Sequence, residues 1–427
     1  MEEYIDERLP ITRKKSYFGW VITISTIIAV VYNSGYALLT IEDNISLFLL
    51  VPMAVLVFSI SIFKNNLLKQ KINRYLVVYY GLIISCFFTI LYNQDVFKYT
   101  SYMRFIFVIT LAFSITQVIS FYKFIDIYIY IMRLIVMISL IVYVFVNIFH
   151  FTIPFPIVMN INGTAYYNGI ITFIMTHATE RNIGVFWEPG IYCSFLIIAM
   201  VIEICFKKKM SKFNVILFLI AVLTALSTAG YLLLPFIAVL LFNRNRKRNS
   251  YITIIINVIF LIIFTFIAVQ IDNIVLALYN SFPYVFGKVL NMSGSFLTRV
   301  SGPAIDWTIF VKSPLFGVGF VDYQVIWREL ASGAGVIAQT STITYFVATL
   351  GLGGVLYLYS VVNGILKLPS LNLIARLSIL MIFIFIVTKE PHQHNVTIFI
   401  FLFYFLKLGC RQYSDNSLMK NEVLSKK

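Results

Sequence analysis

Apolar runs of about 18 residues or more recur along most of the chain, with shorter polar stretches between them. At 1.5 Å per residue a helix of that length crosses the ~30 Å hydrocarbon layer of a bilayer, so each run reads as a spanning helix. A β-barrel would instead need segments of about ten residues with strict alternation, and the run at 251–270 does not alternate. The pattern predicts an all-α, polytopic membrane bundle of about twelve transmembrane helices. Their expected positions are 18–40, 45–63, 75–92, 104–122, 127–149, 188–206, 214–227, 230–242, 251–270, 338–364, 375–388 and 395–408. The seventh and eighth are short and read as a broken hairpin around Ser227-Thr228-Ala229-Gly230. Two connections are long, 150–187 and 271–337. Long ordered loops usually carry function. Amphipathic pieces predict short helices lying on the surface there, one of them starting at Ser301-Gly302-Pro303 with proline at its first position.

Composition excludes an ordinary soluble fold. Of 427 residues, 60% are hydrophobic and 12% charged, with a mean hydropathy of +0.89. A soluble domain is nearer half apolar and a quarter charged. The chain therefore reads as one transmembrane domain over 1–427, ending in a polar tail at 409–427. The first apolar run lacks a small-residue cleavage site, so it reads as a retained span. Cys86, Cys193, Cys205 and Cys410 show no CxxC spacing and predict neither a disulfide framework nor a zinc site.

A net charge of +15 raises the question of nucleic acid. Its distribution answers it. With the N-terminus inside, roughly three-quarters of the 33 lysines and arginines fall in the segments that twelve spans leave on the cytoplasmic side. They include Arg13, Lys14 and Lys15, Lys207 to Lys209, and Arg244, Arg246, Lys247 and Arg248. This is the positive-inside pattern, and it predicts that both termini are cytoplasmic and both long loops extracytoplasmic. No nucleic-acid partner is needed.

Against that bias, each outward-facing cation is a candidate for chemistry. Arg181 lies in Thr179-Glu180-Arg181-Asn182-Ile183-Gly184-Val185-Phe186-Trp187-Glu188-Pro189-Gly190, and Arg299 in Leu297-Thr298-Arg299-Val300-Ser301-Gly302-Pro303-Ala304-Ile305-Asp306-Trp307. Arginine binds phosphate in bidentate fashion and stays charged at any relevant pH. Two arginines near the membrane surface would clamp a lipid-linked pyrophosphate; the plainer reading is head-group snorkelling or pairing with Glu180 and Asp306. Glu188, before Pro189-Gly190 at the mouth of the sixth span, is either a general base or sugar ligand, or an acid complementing a helix dipole. Asp306 and Asp322 carry the same two readings. His150, His177, His392 and His394 all fall on the outer side. His392-Gln393-His394 with Glu390 has weak metal-ligand spacing, and a hydrogen-bonding role is the simpler reading; no metal is expected. Glu203, four residues before Lys207, predicts a helical ion pair. Arg133 reads as structural, and Gly351, Gly353 and Gly354 predict close helix packing.

In order, the chain shows an Arg-x-x-Gly-x-Phe-x-Glu-Pro segment (Arg181, Gly184, Phe186, Glu188, Pro189) and a Ser/Thr hairpin (Ser227-Thr228-Ala229-Gly230). A long outer loop follows, with Arg299, Trp307 and the turn Pro314-Leu315-Phe316-Gly317-Val318-Gly319. The last piece is a span opening on Gln339-Thr340-Ser341 with Gly351-Leu352-Gly353-Gly354 inside it. Over roughly residues 180–364 this order resembles the O-antigen polymerase and ligase superfamily of bacterial surface-polysaccharide assembly. The resemblance implies the fold of lipid-dependent membrane glycosyltransferases, a place in the bacterial cytoplasmic membrane, and glycosyl transfer from undecaprenyl-pyrophosphate-linked oligosaccharide at its outer face. It implies no cofactor. It implies partners: membrane lipid, a chain-length regulator and a flippase. Carried onto this chain, Arg181 and Arg299 would stabilise leaving-group charge, Glu188 would be the base, and Trp187, Asp306, Asp322 and His177 would line the substrate site. Ligases carry a histidine eleven residues before the first glycine of the Gly-rich segment; here that position is Thr340. The departure favours a polymerase of O-antigen, capsule or exopolysaccharide, with His177 or a histidine of the 392–394 pair able to substitute in space. A ligase, a flippase or another membrane transporter remain the alternatives.

Overall fold

A computed structural model describes residues 17–40, 43–65, 73–94, 100–160, 163–244, 294–334, 336, 339–369 and 371–425. The protein is mostly helical. The helices are α1 (Tyr17–Val31), α2 (Asp43–Asn65), α3 (Arg74–Asn93), α4 (Thr100–Val118), α5 (Phe121–Asn147), α6 (Pro189–Cys205), α7 (Lys212–Thr224) and α8 (Thr228–Arg244). After the undescribed stretch come α9 (Gly294–Lys312), α10 (Phe320–Ala334), α11 (Thr342–Leu350), α12 (Leu352–Leu366), α13 (Leu373–Lys389) and α14 (Val396–Ser425). Three of the described helices, α3, α4 and α5, are long and apolar enough to cross a membrane, and several more are apolar but shorter. The span expected at 251–270 lies outside the described residues.

Helix α6 is the hub. From Pro189 to Ile204 every residue is buried, and α5, α7 and α8 pack around it. A helix apolar on all sides belongs at the centre of a bundle. Polar groups on neighbouring segments serve its ends. At the C-terminal end, Arg244 donates to carbonyls of Ile204, Lys207 and Lys208, supplying the last turn with donors. Glu203 does not pair with Lys207 as expected. It accepts from Ser211 N at 2.6 Å and Asn214 Nδ2 at 3.3 Å at the start of α7, while Lys207 pairs with Asp126 on α5. The sequence spacing was right for a continuing helix, but α6 stops at Cys205.

Among its described residues, the first long loop contains no helix. Residues 150–187 form a three-stranded antiparallel sheet, β1 (Ile157–Met159), β2 (Ala165–Asn168) and β3 (Phe173–Met175). Pro154 and Pro156 block a helix there, and the β-branched and aromatic residues that follow favour strands. The loop then docks back on the bundle: Ala37 N donates to Val185 O and Trp187 N to Gly35 O. Asn182 bonds Ser139 on α5 and Thr224 on α7.

The second long loop does carry helices, α9 and α10, but α9 begins at Gly294, so Pro303 lies inside it and not at its first position. The span expected at 338–364 is divided. Gly351, at φ +56 and ψ −121, separates α11 from α12, a conformation open to glycine and costly for other residues. The break is filled by the Pro-Leu-x-Gly-x-Gly turn. Val318 N and Gly319 N donate to the Ala348 and Thr349 carbonyls, and Leu352 N donates to Leu315 O. From α3, Thr89 Oγ1 and Asn93 Nδ2 donate to the Phe316 and Gly317 carbonyls at 2.6 and 3.2 Å. A Cβ at Gly317 would run into the Thr349 carbonyl. The glycines of this motif therefore permit close approach of two backbones.

Candidate functional site

Two buried polar clusters hang from the first turn of α11, and most of the residues singled out above lie in or beside them. The first gathers at the N-terminal end of α6. Glu188 is the N-cap residue, with extended backbone and no capping bond from its side chain. Its charge acts on the Tyr166 phenol on β2, which burial first and Glu188 second hold above the ordinary tyrosine range. Tyr166 Oη donates to the Trp187 carbonyl at 2.8 Å. The sheet thus fixes the backbone that leads into Glu188.

Arg181 is half-buried, and its Nη2 donates to the Leu226 carbonyl at 3.1 Å in the turn between α7 and α8. Leu226 has φ +48, a left-handed turn that leaves its carbonyl available to an arginine. Arg181 and Glu188 are therefore held by different turns around the same helix end. The Cys193 thiol, one turn into α6, lies within electrostatic reach of both Arg181 and a second carboxylate, Glu390.

Glu390, between α13 and α14, is 1% exposed. Its carboxylate occupies the space that a side chain at Gly190 would fill. This sets an acid beside the first turn of α6, where a negative charge complements the helix dipole. The Thr342 hydroxyl joins the loop to α11, donating to Glu390 O at 3.0 Å and accepting from His392 N at 2.7 Å. His392 is fully buried, with Nδ1 3.1 Å from Asn395 Nδ2. Burial holds its imidazole down to about 3, so it is neutral at physiological pH. Asn395 Nδ2 also donates to Ser34 O at 3.2 Å, which ties in the end of the first expected span. Among the described residues, no group of three His, Cys, Asp or Glu side chains is placed to hold a metal ion.

The second cluster centres on Asp306 of α9, 1% exposed. Tyr323 Oη of α10 donates to Oδ1 at 2.5 Å, and Thr344 Oγ1 of α11 donates to Oδ2 at 2.5 Å. Gln339 Nε2 lies 3.4 Å from Oδ2. Burial raises the Asp306 carboxyl above its ordinary value despite these donors. Both oxygens face protein donors, so Asp306 joins three helices. Asp322 stands in the first turn of α10, where an acid complements the helix dipole. His177 is exposed between β3 and α6. Arg299 lies in α9, and its side chain is outside the described residues.

The structure therefore brings Arg181, Trp187 and Glu188 to one end of α6 and places Asp306 in the second cluster. Glu390, Thr342 and Cys193 join the first three although sequence reasoning gave them no part in that site. The one signal for Glu390 was its weak metal-ligand spacing with His392 and His394. No family model matches the chain, and no curated protein matches it.

Proposed function

We propose that this chain is a surface-polysaccharide polymerase of the bacterial cytoplasmic membrane, with twelve spans and both termini cytoplasmic. It would transfer a growing glycan from undecaprenyl pyrophosphate onto an incoming lipid-linked repeat unit. The observation that carries the reading is the convergence of Glu188, Arg181 and the buried Glu390 on the N-terminal end of α6 from separate segments. The positive-inside bias of the charges supports a non-cytoplasmic position for that end of the bundle. In the transfer, the acceptor hydroxyl attacks the anomeric carbon, its proton passes to Glu188, and the bond to pyrophosphate breaks. Arg181 and Arg299 stabilise the departing charge. Glu390, neighbouring the α6 N-terminus, positions the loop that holds Glu188.

One observation favours a ligase. The backbone N–H of His392 donates to Thr342 Oγ1, which brings the His392 backbone, though not its imidazole, beside a residue two positions from where ligases carry histidine. Deleting the gene in its source strain separates the readings. A polymerase leaves a single-repeat product without a ladder; a ligase leaves lipid-linked polymer that never reaches its acceptor. Glu188→Gln, expressed at wild-type level in that strain, is expected to lower polymer by about 10²-fold or more, the usual scale for removing a general base. A full ladder from this variant would remove Glu188 from the chemistry.

A further inference from the structure

From Leu134 to Thr179 the chain contains no Asp, Glu, Lys or Arg, although the second half of that stretch lies beyond the end of α5. A water-exposed loop of this length ordinarily carries charge. The exposed face of the sheet is apolar instead. Ile157 and Met159 on β1 are 59% and 60% exposed, and Ile170 in the turn between β2 and β3 is 69% exposed. The register explains which face this is. Tyr166 pairs with Val158 and points inward to the Trp187 carbonyl, so Ile157 and Met159, one residue to either side of Val158, face the other way. Ile170 adopts φ +64, a conformation that glycine or asparagine takes readily and a β-branched residue pays for. A turn built for water has no reason to place two isoleucines, Ile170 and Ile171, at its tip.

Along the chain, the sheet follows directly on an apolar surface of α5. Phe145, exposed on that helix, stacks with Phe151 at a centroid distance of 5.6 Å and lies 5.9 Å from Phe149. The exposed aromatic surface thus runs without a charged residue from a membrane-crossing helix into the loop. We propose that the sheet is an interfacial element: Ile157, Met159 and Ile170 lie in the hydrocarbon edge of the bilayer leaflet at this end of the bundle. The partner is the lipid itself. Continuity with α5 and the absence of any charge favour lipid over a protein surface, whose rim would be polar.

The test places single nitroxide labels on the full-length protein in liposomes, with Cys205 and Cys410 replaced by serine and the buried Cys86 and Cys193 retained. Labels at Ile157, Met159 and Ile170 are compared with one at Ile141, exposed on α5, and one at His177, exposed on the polar side of the loop. The expected result is that the three sheet positions collide with oxygen in preference to a water-soluble nickel chelate, as Ile141 does, while His177 shows the reverse. The two reference sites set the lipid-exposed and water-exposed limits, and a monodisperse peak in detergent reports that each labelled protein retains its fold. Sheet labels that match His177 would put this face in water. Labels shielded from both reagents would mean that a protein covers it. Either outcome overturns the proposal.

Discussion

A methyl group at Gly190 would occupy the space of the Glu390 carboxylate. The glycine is therefore a consequence of an acid on a loop two hundred residues downstream. Gly190→Ala forces the carboxylate off the α6 N-terminus and is expected to cost about 1–3 kcal/mol, the scale of overpacking a filled core. Glu390→Asp shortens the acid by one methylene and makes room, so the double variant loses less than the sum of the two single ones. Thermal unfolding of the purified protein in detergent measures this, and strictly additive losses would show that the two residues do not compete for one space. Sequence alone could not pair them. Glu390 reads there as a neighbour of His392 and His394, because proximity along the chain is the only proximity a sequence offers. In space it belongs to Gly190 and Thr342, on two other helices.

Among the elements, α9, α10 and α11 meet at Asp306, and that meeting point is sensitive to pH. Burial raises the folded Asp306 above 3.8, so the folded chain holds this proton more tightly than the unfolded chain. Stability from this group is greatest in acid, falls as pH rises from 3.8 through the raised folded value, and stays reduced above it. The thermal midpoint of the wild type, measured relative to Asp306→Asn, is therefore expected to be higher in mildly acidic buffer than at neutral pH. An identical pH profile in the two proteins would show that Asp306 does not ionise differently on folding. Helices over the apolar runs were legible because length and hydrophobicity suffice to specify them. The fate of the loops was not. Strands of three or four residues carry little periodicity, and the break at Gly351 depends on Leu315 and Gly317 approaching from another segment. The partners that hold Asp306, Tyr323 and Thr344, lie 17 and 38 residues away and were not legible beside it.

For the whole molecule, the charge pattern makes a statement about sidedness that the helices alone do not. Alkaline phosphatase fused after Gln94 or His177 is expected to be active, and after Lys69 or Lys208 inactive, because the enzyme folds only outside the cytoplasm. Activity after Lys208 would invert the bundle and place the α6 N-terminus, with its carboxylates, on the cytoplasmic face. The apolar runs made a membrane protein legible, and the Arg181 to Pro189 segment marked one mouth of the bundle. The joining of its polar clusters through α11 was not legible, because each hydrogen bond crosses between segments far apart in sequence. The break at Gly351 bears on how such a chain is made. A nine-residue helix such as α11 is about 14 Å long, roughly half the hydrocarbon thickness. In the proposed span over 338–364, open backbone groups at the break would each cost several kcal/mol in lipid. The groups that satisfy them belong to residues 315–319, and a ribosome synthesises those before it reaches Gly351. The strap is already available when the divided span arrives, so the order of translation delivers the two halves to a surface that completes them.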